Sequence, residues 1–208
     1  MKRILNLAVV ALAAAASPLG AQLADSASLP PIPIVRAYEH WGKIERSYDD
    51  DEKSTTVSLT LPLDDRQRDA FIHRGTTYAG ELSAGFVFDG STMASYPEVV
   101  TLMLKLTRPT DDALRGDRAG GGDIQFTLDG GKTLAVPAPL VSRSGSDIVN
   151  GRPRRVEDTY VVILSLPQFL RVVNATRVNA DLHDLKLEFT GGPLEALRDL
   201  GSRIEVMP

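Results

Sequence analysis

The 208-residue sequence contains no cysteine. Disulfides, thiolate metal ligands and cysteine nucleophiles are therefore excluded. A chain without these devices depends on a packed hydrophobic core, and this one is long enough to bury a core of useful size. With 43% hydrophobic and 24% charged residues, its composition is that of an ordinary globular protein.

The chain also lacks an excess of positive charge. The chain has 23 lysines and arginines against 27 aspartates and glutamates, a formal net charge of -4. Dedicated nucleic-acid binders normally carry a basic face, so we expect no nucleic-acid partner.

Motifs with a known chemistry are missing as well. The three histidines (His40, His73 and His183) are not spaced as metal ligands, and no His-Glu-x-x-His or Gly-x-Ser-x-Gly motif occurs. The glycine-rich stretches at 120–122 and 130–131 match neither the dinucleotide nor the phosphate-loop pattern. The sequence assigns no catalytic, cofactor-binding or metal-binding residue.

One apolar run stands out at the start of the chain. Lys2 and Arg3 precede a run from Ile4 to Ala16 that is apolar except for Asn6, and Ala21 is a small residue suited to cleavage. This pattern predicts a secretory signal peptide over residues 1–21. The run is too short to span a bilayer, so we expect a periplasmic or secreted protein with no membrane span after cleavage.

The next segment is rich in proline and small residues. Residues 22–34 read QLADSASLPPIPI, which favours an extended tether. A single domain over residues 35–208 is expected to follow.

Within that domain the dominant period is two. Alternating apolar residues predict strands at 55–61, 78–88, 99–106, 124–128, 132–136, 160–164, 177–182 and 185–189. Asp129-Gly130-Gly131 predicts a tight hairpin turn, and His183-Asp184 lies at a second one.

Two helices interrupt the strands. Ser165 and Gln168 form a capping box that predicts a helix to about Asn174. Pro193 and Glu195 favour a second helix, whose Leu194, Leu197, Leu200 and Ile204 form one apolar stripe. We therefore predict a mainly β, sandwich-like antiparallel fold with two short helices, which could also be classed as α+β.

The acidic run Asp49-Asp50-Asp51-Glu52 offers oxygen atoms that calcium prefers. Because Lys53 interrupts the series and the glycine of a calcium loop is missing, a solvated turn between two strands is the favoured interpretation.

Two long polar segments, residues 108–123 and 142–155, read as loops. Loops of this length are often either binding elements or simply solvated. Arginine binds carboxylate and phosphate groups through two parallel hydrogen bonds. The second segment is therefore a candidate contact for a small anionic ligand or an envelope protein. Its four arginines are Arg143, Arg152, Arg154 and Arg155.

Two stretches resemble a known group of sequences. They are Tyr48-Asp49 with Thr55-Thr56-Val57-Ser58-Leu59, and a C-terminal set comprising Asn174-Ala175, Val178, Leu187-Glu188-Phe189-Thr190, Leu194–Leu200 and Ser202-Arg203. In these residues the chain resembles a family of exported bacterial β-rich proteins of unknown function. The resemblance implies a shared fold and no particular chemistry.

Two functions remain open from the sequence. The first is a non-enzymatic periplasmic or secreted binding module, favoured by the missing catalytic motifs and the two polar segments. The second is a hydrolase or carbohydrate-active enzyme with a dispersed carboxylate or serine site, for which Asp64-Asp65 and Asp111-Asp112 are the acidic pairs. Neither hypothesis requires a cofactor.

Overall fold

The computed structural model describes residues 29–63, 72–74, 79–109, 122–149, 152–182 and 185–205. The predicted signal peptide, residues 110–121 of the first polar segment, and both acidic pairs lie outside the described residues.

The described part of the chain contains eleven strands and two helices. The strands are β1 (Lys43–Asp49), β2 (Ser54–Leu63), β3 (Ile72–Arg74), β4 (Ala79–Asp89), β5 (Val99–Pro109), β6 (Gly122–Leu128), β7 (Lys132–Ala138), β8 (Leu140–Val149), β9 (Arg152–Ser165), β10 (Val178–Leu182) and β11 (Leu185–Phe189). The helices are α1 (Leu166–Asn174) and α2 (Gly192–Ser202).

The strands form two antiparallel sheets. The order is β1-β2-β4-β5-β9-β8 in the six-stranded sheet and β3-β11-β10-β6-β7 in the five-stranded sheet. Both sheets and both helices contribute to one hydrophobic core. The prediction of a mainly β, antiparallel fold with two helices is confirmed.

Buried apolar residues alternate with more exposed residues along β2, and this alternation determines which face of the six-stranded sheet packs on the core. In β2, Val57, Leu59 and Leu61 are buried on the core side, and Thr60 and Pro62 are exposed between and beyond them. Successive side chains of a strand point to opposite faces, so this pattern fixes which face meets the core. The five-stranded sheet supplies Phe126 and Phe189 to the same core, with ring centroids 6.0 Å apart.

Two of the predicted turns are present. The acidic run closes the β1–β2 hairpin, where Asp49 Oδ1 accepts hydrogen bonds from the backbone N–H groups of Asp51 and Glu52 at 2.8 and 3.1 Å. Between β6 and β7, Asp129 and Gly130 have φ values of 47° and 77°, the left-handed conformation of the central residues of a type I′ turn, and Gly131 N–H closes the turn by donating to Leu128 O at 3.1 Å.

Both predicted helices begin as expected. At the start of α1, Gln168 N–H donates to Ser165 Oγ at 3.4 Å and Ser165 N–H donates to Gln168 Oε1 at 2.9 Å, which completes the capping box. From α2, Arg198 donates to the carbonyl oxygens of Val173 and Ala175 at 2.9 and 2.7 Å. One arginine thereby satisfies carbonyl groups at the end of α1 and fastens the two helices together.

The sequence analysis gave no bounds for three strands. β1 was implied only by the interpretation of the acidic run as a turn between two strands, and β3 was not expected. Most of residues 142–155 belongs to the β8–β9 hairpin, although the sequence reads as a loop. The reason is local composition: β8 mixes serine, glycine and charge, and a strand of that kind depends on pairing with its neighbour.

Residues 29–34, the end of the predicted tether, also contact the core. They have no regular secondary structure, but Leu29 and Ile32 pack against the core and Asn174 Nδ2 donates to Pro31 O at 2.6 Å.

Candidate functional site

The β8–β9 hairpin contains all four candidate arginines. β9 pairs with β5 along one side, from Val99 opposite Ser165 to Pro109 opposite Arg155. On its other side it pairs with β8, the last strand of the six-stranded sheet. The first residues of β9 lie beyond the β5 pairing and have only β8 as a paired neighbour among the described strands.

A buried ion pair holds β8 against β9. Arg143 lies directly opposite Asp158, and its Nε and Nη2 atoms donate to Oδ1 and Oδ2 of that carboxylate at 2.6 and 3.2 Å. The Asp158 side chain is 0% exposed and that of Arg143 is 34% exposed. The arginine therefore reaches in from the sheet edge to neutralise a carboxylate on the core side of β9.

This geometry indicates that Arg143 has a structural role, because it compensates the charge of a buried carboxylate. A buried carboxylate is costly to desolvate unless a partner with good geometry compensates it, and a two-pronged arginine contact is the strongest such partner. Removing Arg143 would leave the Asp158 charge in the protein interior. Arg143 therefore positions the hairpin, which makes it a poor choice for gripping a ligand.

The other arginines divide between the faces of β9. Arg154 and Arg155 are neighbours in one strand and both are exposed, so their side chains project from opposite faces. Arg152 pairs with Val149 at the start of β9, and its side chain lies outside the described residues. The four arginines therefore do not form one cluster: Arg143 faces Asp158, and the consecutive pair presents charge on two surfaces.

Among the described strands, β8 has a neighbour on one side only, and much of it is exposed. Residues 141–145 are all exposed, and Ile148 is 68% exposed. A register shift between Leu140 and Ser142 produces a bulge at Val141, which is also exposed. An edge strand of this kind presents unpaired backbone N–H and C=O groups to solvent.

A second polar region is a cleft of about 330 Å³ between residues 36–39 and the start of α2. Two of its charged side chains are paired: Arg36 lies 3.3 Å from Glu195, and Glu195 lies 2.5 Å from Arg198. These contacts attach the segment before β1 to α2.

His40 in the same segment contacts Asp199 of α2. Gly42 N–H donates to His40 Nδ1 at 3.1 Å, so His40 Nε2 carries the proton and donates to Asp199 Oδ2 at 3.1 Å. Because both ring nitrogens are engaged, neither can take a proton from a nucleophile in this arrangement. This histidine–aspartate pair fastens the chain to α2.

Trp41 completes that attachment. Its indole N–H donates to Pro62 O at 2.7 Å, and its ring lies against Gly192, where a Cβ atom would come within 2.0 Å of the ring. Glycine is therefore required at position 192 for the indole to reach this position.

The described residues also show no clustered metal ligands and no membrane-spanning helix. Among those residues, no group of three or more metal-ligating side chains comes together. No helix in the described part of the chain is long and apolar enough to cross a membrane.

Comparison with known proteins adds no relative: no protein-family model, curated protein or solved structure matches this chain.

Sequence reasoning selected the four arginines as candidates and did not predict the contacts of Asp158, His40 and Asp199. Asp158 follows Arg154, Arg155 and Glu157 in a polar run, so nothing local marks it as buried. Its one available signal is strand parity, because it alternates with Tyr160 and Val162 on the core side of β9.

Proposed function

We propose that this protein is exported by its N-terminal signal peptide and acts in the periplasm or outside the cell as a non-enzymatic binding module. The β8–β9 hairpin is its contact surface. The observation that carries this proposal is the exposure of Arg154 and Arg155, one on each face of a hairpin that lies at the edge of the described sheet and that the Arg143–Asp158 pair holds in place.

The chemistry of that surface favours an anionic partner. Arginine recognises carboxylate and phosphate groups through charge-assisted hydrogen bonds, and exposed backbone groups of an edge strand add further contacts. The partner is an envelope protein with an acidic segment or a small anionic ligand. The resemblance to exported β-rich bacterial proteins supports the same location and stays a prediction.

A binding experiment tests the contact surface. The tagged protein is used to capture partners from envelope extract, side by side with the Arg154→Ala/Arg155→Ala variant. We expect the variant to lose at least tenfold in captured partner, because its electrostatic contacts are gone while the Arg143–Asp158 pair is retained. Titration with inorganic phosphate, followed by the unfolding temperature, tests the small-ligand case in the same two proteins.

The matched control is Arg177→Ala. Arg177 is exposed, and its pair with Glu188 at 3.0 Å lies on the five-stranded sheet, away from the hairpin. Capture that is equal in wild type and the double variant would overturn the proposed contact surface. Capture lost equally in the control would show charge-dependent, non-specific binding.

Export is tested separately by mass spectrometry of protein recovered from the envelope. We expect a chain that starts near residue 22. An intact N-terminus on protein recovered there would refute cleavage of the signal peptide.

A further inference from the structure

Two consecutive aliphatic residues project from the segment that precedes β1. Ile34 is 74% exposed and Val35 is 68% exposed, and these two residues form the tip of the segment. On both sides of the tip the segment is attached to the fold. Leu29 and Ile32 before it pack on the core, and the Trp41 ring after it lies against the start of α2. The tip therefore stands in solvent between two attached parts of one segment.

Local contacts hold the tip in this conformation. The Tyr38 hydroxyl donates to Ile34 O at 2.6 Å, and the Arg36 guanidinium lies over the Tyr38 ring at 4.7 Å. Arg36 also pairs with Glu195 of α2 at 3.3 Å. These contacts restrain the backbone at Ile34 and directly after Val35. The two aliphatic side chains are thereby kept in solvent instead of turning onto the core.

Trp41 lies close to the same end of α2. It is 39% exposed, and its ring packs against Gly192, which lines the 330 Å³ cleft together with Arg36. The tip is thus accompanied by an arginine, a tyrosine and a tryptophan. Tryptophan and tyrosine favour the boundary between the headgroups and the acyl chains of a bilayer, and arginine keeps its charge in the headgroup layer there. With aliphatic side chains beside them, this is the composition of a surface that binds a lipid interface.

We infer that the tip inserts into the surface of a lipid bilayer and holds the folded domain there reversibly. Ile34 and Val35 enter the boundary of the acyl chains, and Arg36, Tyr38 and Trp41 lie at the level of the headgroups. Two aliphatic side chains bury a small apolar area, so the contact is weak and peripheral. It requires no membrane-spanning helix.

The sequence before the tip favours lipid as the partner. Ala16, the last residue of the apolar run, and Ile34 are 18 positions apart, so they can be separated by about 60 Å at most. While the predicted signal peptide is held in a membrane, the tip is therefore confined near the bilayer, and its insertion is an intramolecular second contact. Stable anchoring takes two contacts of this kind, and cleavage leaves the weaker one. The choice of lipid rests on the proposed export, whereas the exposure of the tip does not.

The other strongly exposed aliphatic side chains of the described residues are Val141 and Ile148 of β8. They are seven positions apart, and serine, glycine and charged residues lie between them. They are not consecutive as the residues of the tip are, and they provide a matched control.

Trp41 is the only tryptophan of the chain, so its fluorescence reports on lipid at this site. The mature chain, residues 22–208, is mixed with phosphatidylcholine vesicles whose acyl chains carry bromine, which quenches a tryptophan in contact with it. We expect quenching that rises with lipid concentration, and flotation of the protein with unbrominated vesicles. Burial of one aliphatic side chain shifts an equilibrium about tenfold, so Ile34→Ser/Val35→Ser should weaken vesicle binding by about tenfold or more.

The control variant Val141→Ser/Ile148→Ser should bind vesicles as the wild type does. Circular dichroism establishes that both double variants are folded. Absence of flotation and quenching in the wild type, or equal loss in the two variants, would overturn the inference. A wild-type dimer in sedimentation velocity that the tip variant loses, with no vesicle binding, would identify a second copy as the occupant and would also overturn it.

Anionic lipid separates this contact from the proposed arginine surface. Added phosphatidylglycerol would strengthen binding through Arg154 and Arg155, and Arg154→Ala/Arg155→Ala would abolish that gain. We expect binding through the tip to gain nothing from phosphatidylglycerol, because the chain has more acidic than basic residues. Vesicle binding that depends on the two arginines and not on the tip would refute the inference and support the anionic contact surface. The purified chain needs neither export nor an envelope partner here, so failure of either leaves this result intact.

Discussion

The two edges of the six-stranded sheet are built differently. At one edge, β1 has seven residues, four of which are charged, and nearly all of it is exposed. At the other edge, β8 has ten residues, of which only Arg143 and Asp147 are charged. Charged side chains and short length protect an edge strand against unwanted pairing. β1 has both protections, whereas β8 has a bulge near one end and serine, glycine and aliphatic residues beyond it.

The attachments of the two edges differ in the same way. β8 is attached by an ion pair whose carboxylate is fully buried, and β1 follows a segment attached by Trp41, His40 and Arg36 to α2. A strand that binds a partner benefits from a fixed backbone conformation, which the Arg143–Asp158 ion pair provides within the hairpin. A strand that contacts only solvent does not require such a contact within itself. This difference supports the proposal that the β8–β9 hairpin is the contact surface.

The largest effect should come from breaking the anchor of β8. We expect Arg143→Ala to lower the free energy of unfolding by about 3 kcal/mol, the lower end of the range for a broken buried pair, because the Arg143 side chain is 34% exposed. Urea denaturation followed by circular dichroism measures the change.

The double variant Arg143→Ala/Asp158→Leu is the control for that experiment. It removes the buried charge along with its partner, so we expect most of the lost stability to return. On β1, Arg46 lies over the Phe88 ring at 5.4 Å, and Arg46→Ala should cost about 1 kcal/mol at most. If Arg143→Ala and Arg46→Ala lower the free energy of unfolding equally, the two edge strands are not attached with different strength.

An intermediate effect is expected at the attachment that precedes β1. Gly192→Ala would place a methyl group within 2.0 Å of the Trp41 ring, and the overpacking should cost about 2 kcal/mol. Gly131→Ala is the matched control, because nothing lies within 4 Å of its added Cβ. The chemical denaturation midpoint measures both. A Gly192→Ala variant as stable as Gly131→Ala would show that the Trp41 contact contributes little.

The smallest effect on stability should come from the charges of β1. Lys43 and Glu45 form an ion pair whose side chains are largely exposed, so the Lys43→Thr/Glu45→Thr variant should change unfolding by no more than about 0.5 kcal/mol. We expect it to aggregate faster, since the edge loses two of its protecting charges. Light scattering at fixed temperature records aggregation. An unchanged rate would mean that β1 does not need its charges for solubility.

Several elements could be predicted because their determinants are local. The capping box of α1 needs only Ser165 and Gln168, three residues apart, and the turn at Asp129-Gly130 needs only residues that tolerate positive φ. The strand alternation of β2 likewise predicts its buried face. Each of these features depends on the backbone and its nearest neighbours in the chain.

The candidate site was predicted less well because its determinants are distant in the sequence. His40 and Asp199 are 159 residues apart, and Arg143 and Asp158 are 15 apart, so no short motif contains either pair. The sequence grouped four arginines by proximity in the chain. Strand parity then assigned Arg154 and Arg155 to opposite faces, and pairing between β8 and β9 assigned Arg143 to a buried carboxylate.

By itself, the sequence determined the fold class, the start of both helices and the acidic turn, since alternation, caps and turn residues act over a few positions. It also determined that the fold is held without disulfides. Only the tertiary structure decided which arginine is structural, how the two ring nitrogens of His40 are bonded and which described strands lie at the edges of the sheet. Those properties depend on which strands become neighbours, and strand order is set by burial of the whole core rather than by any local pattern.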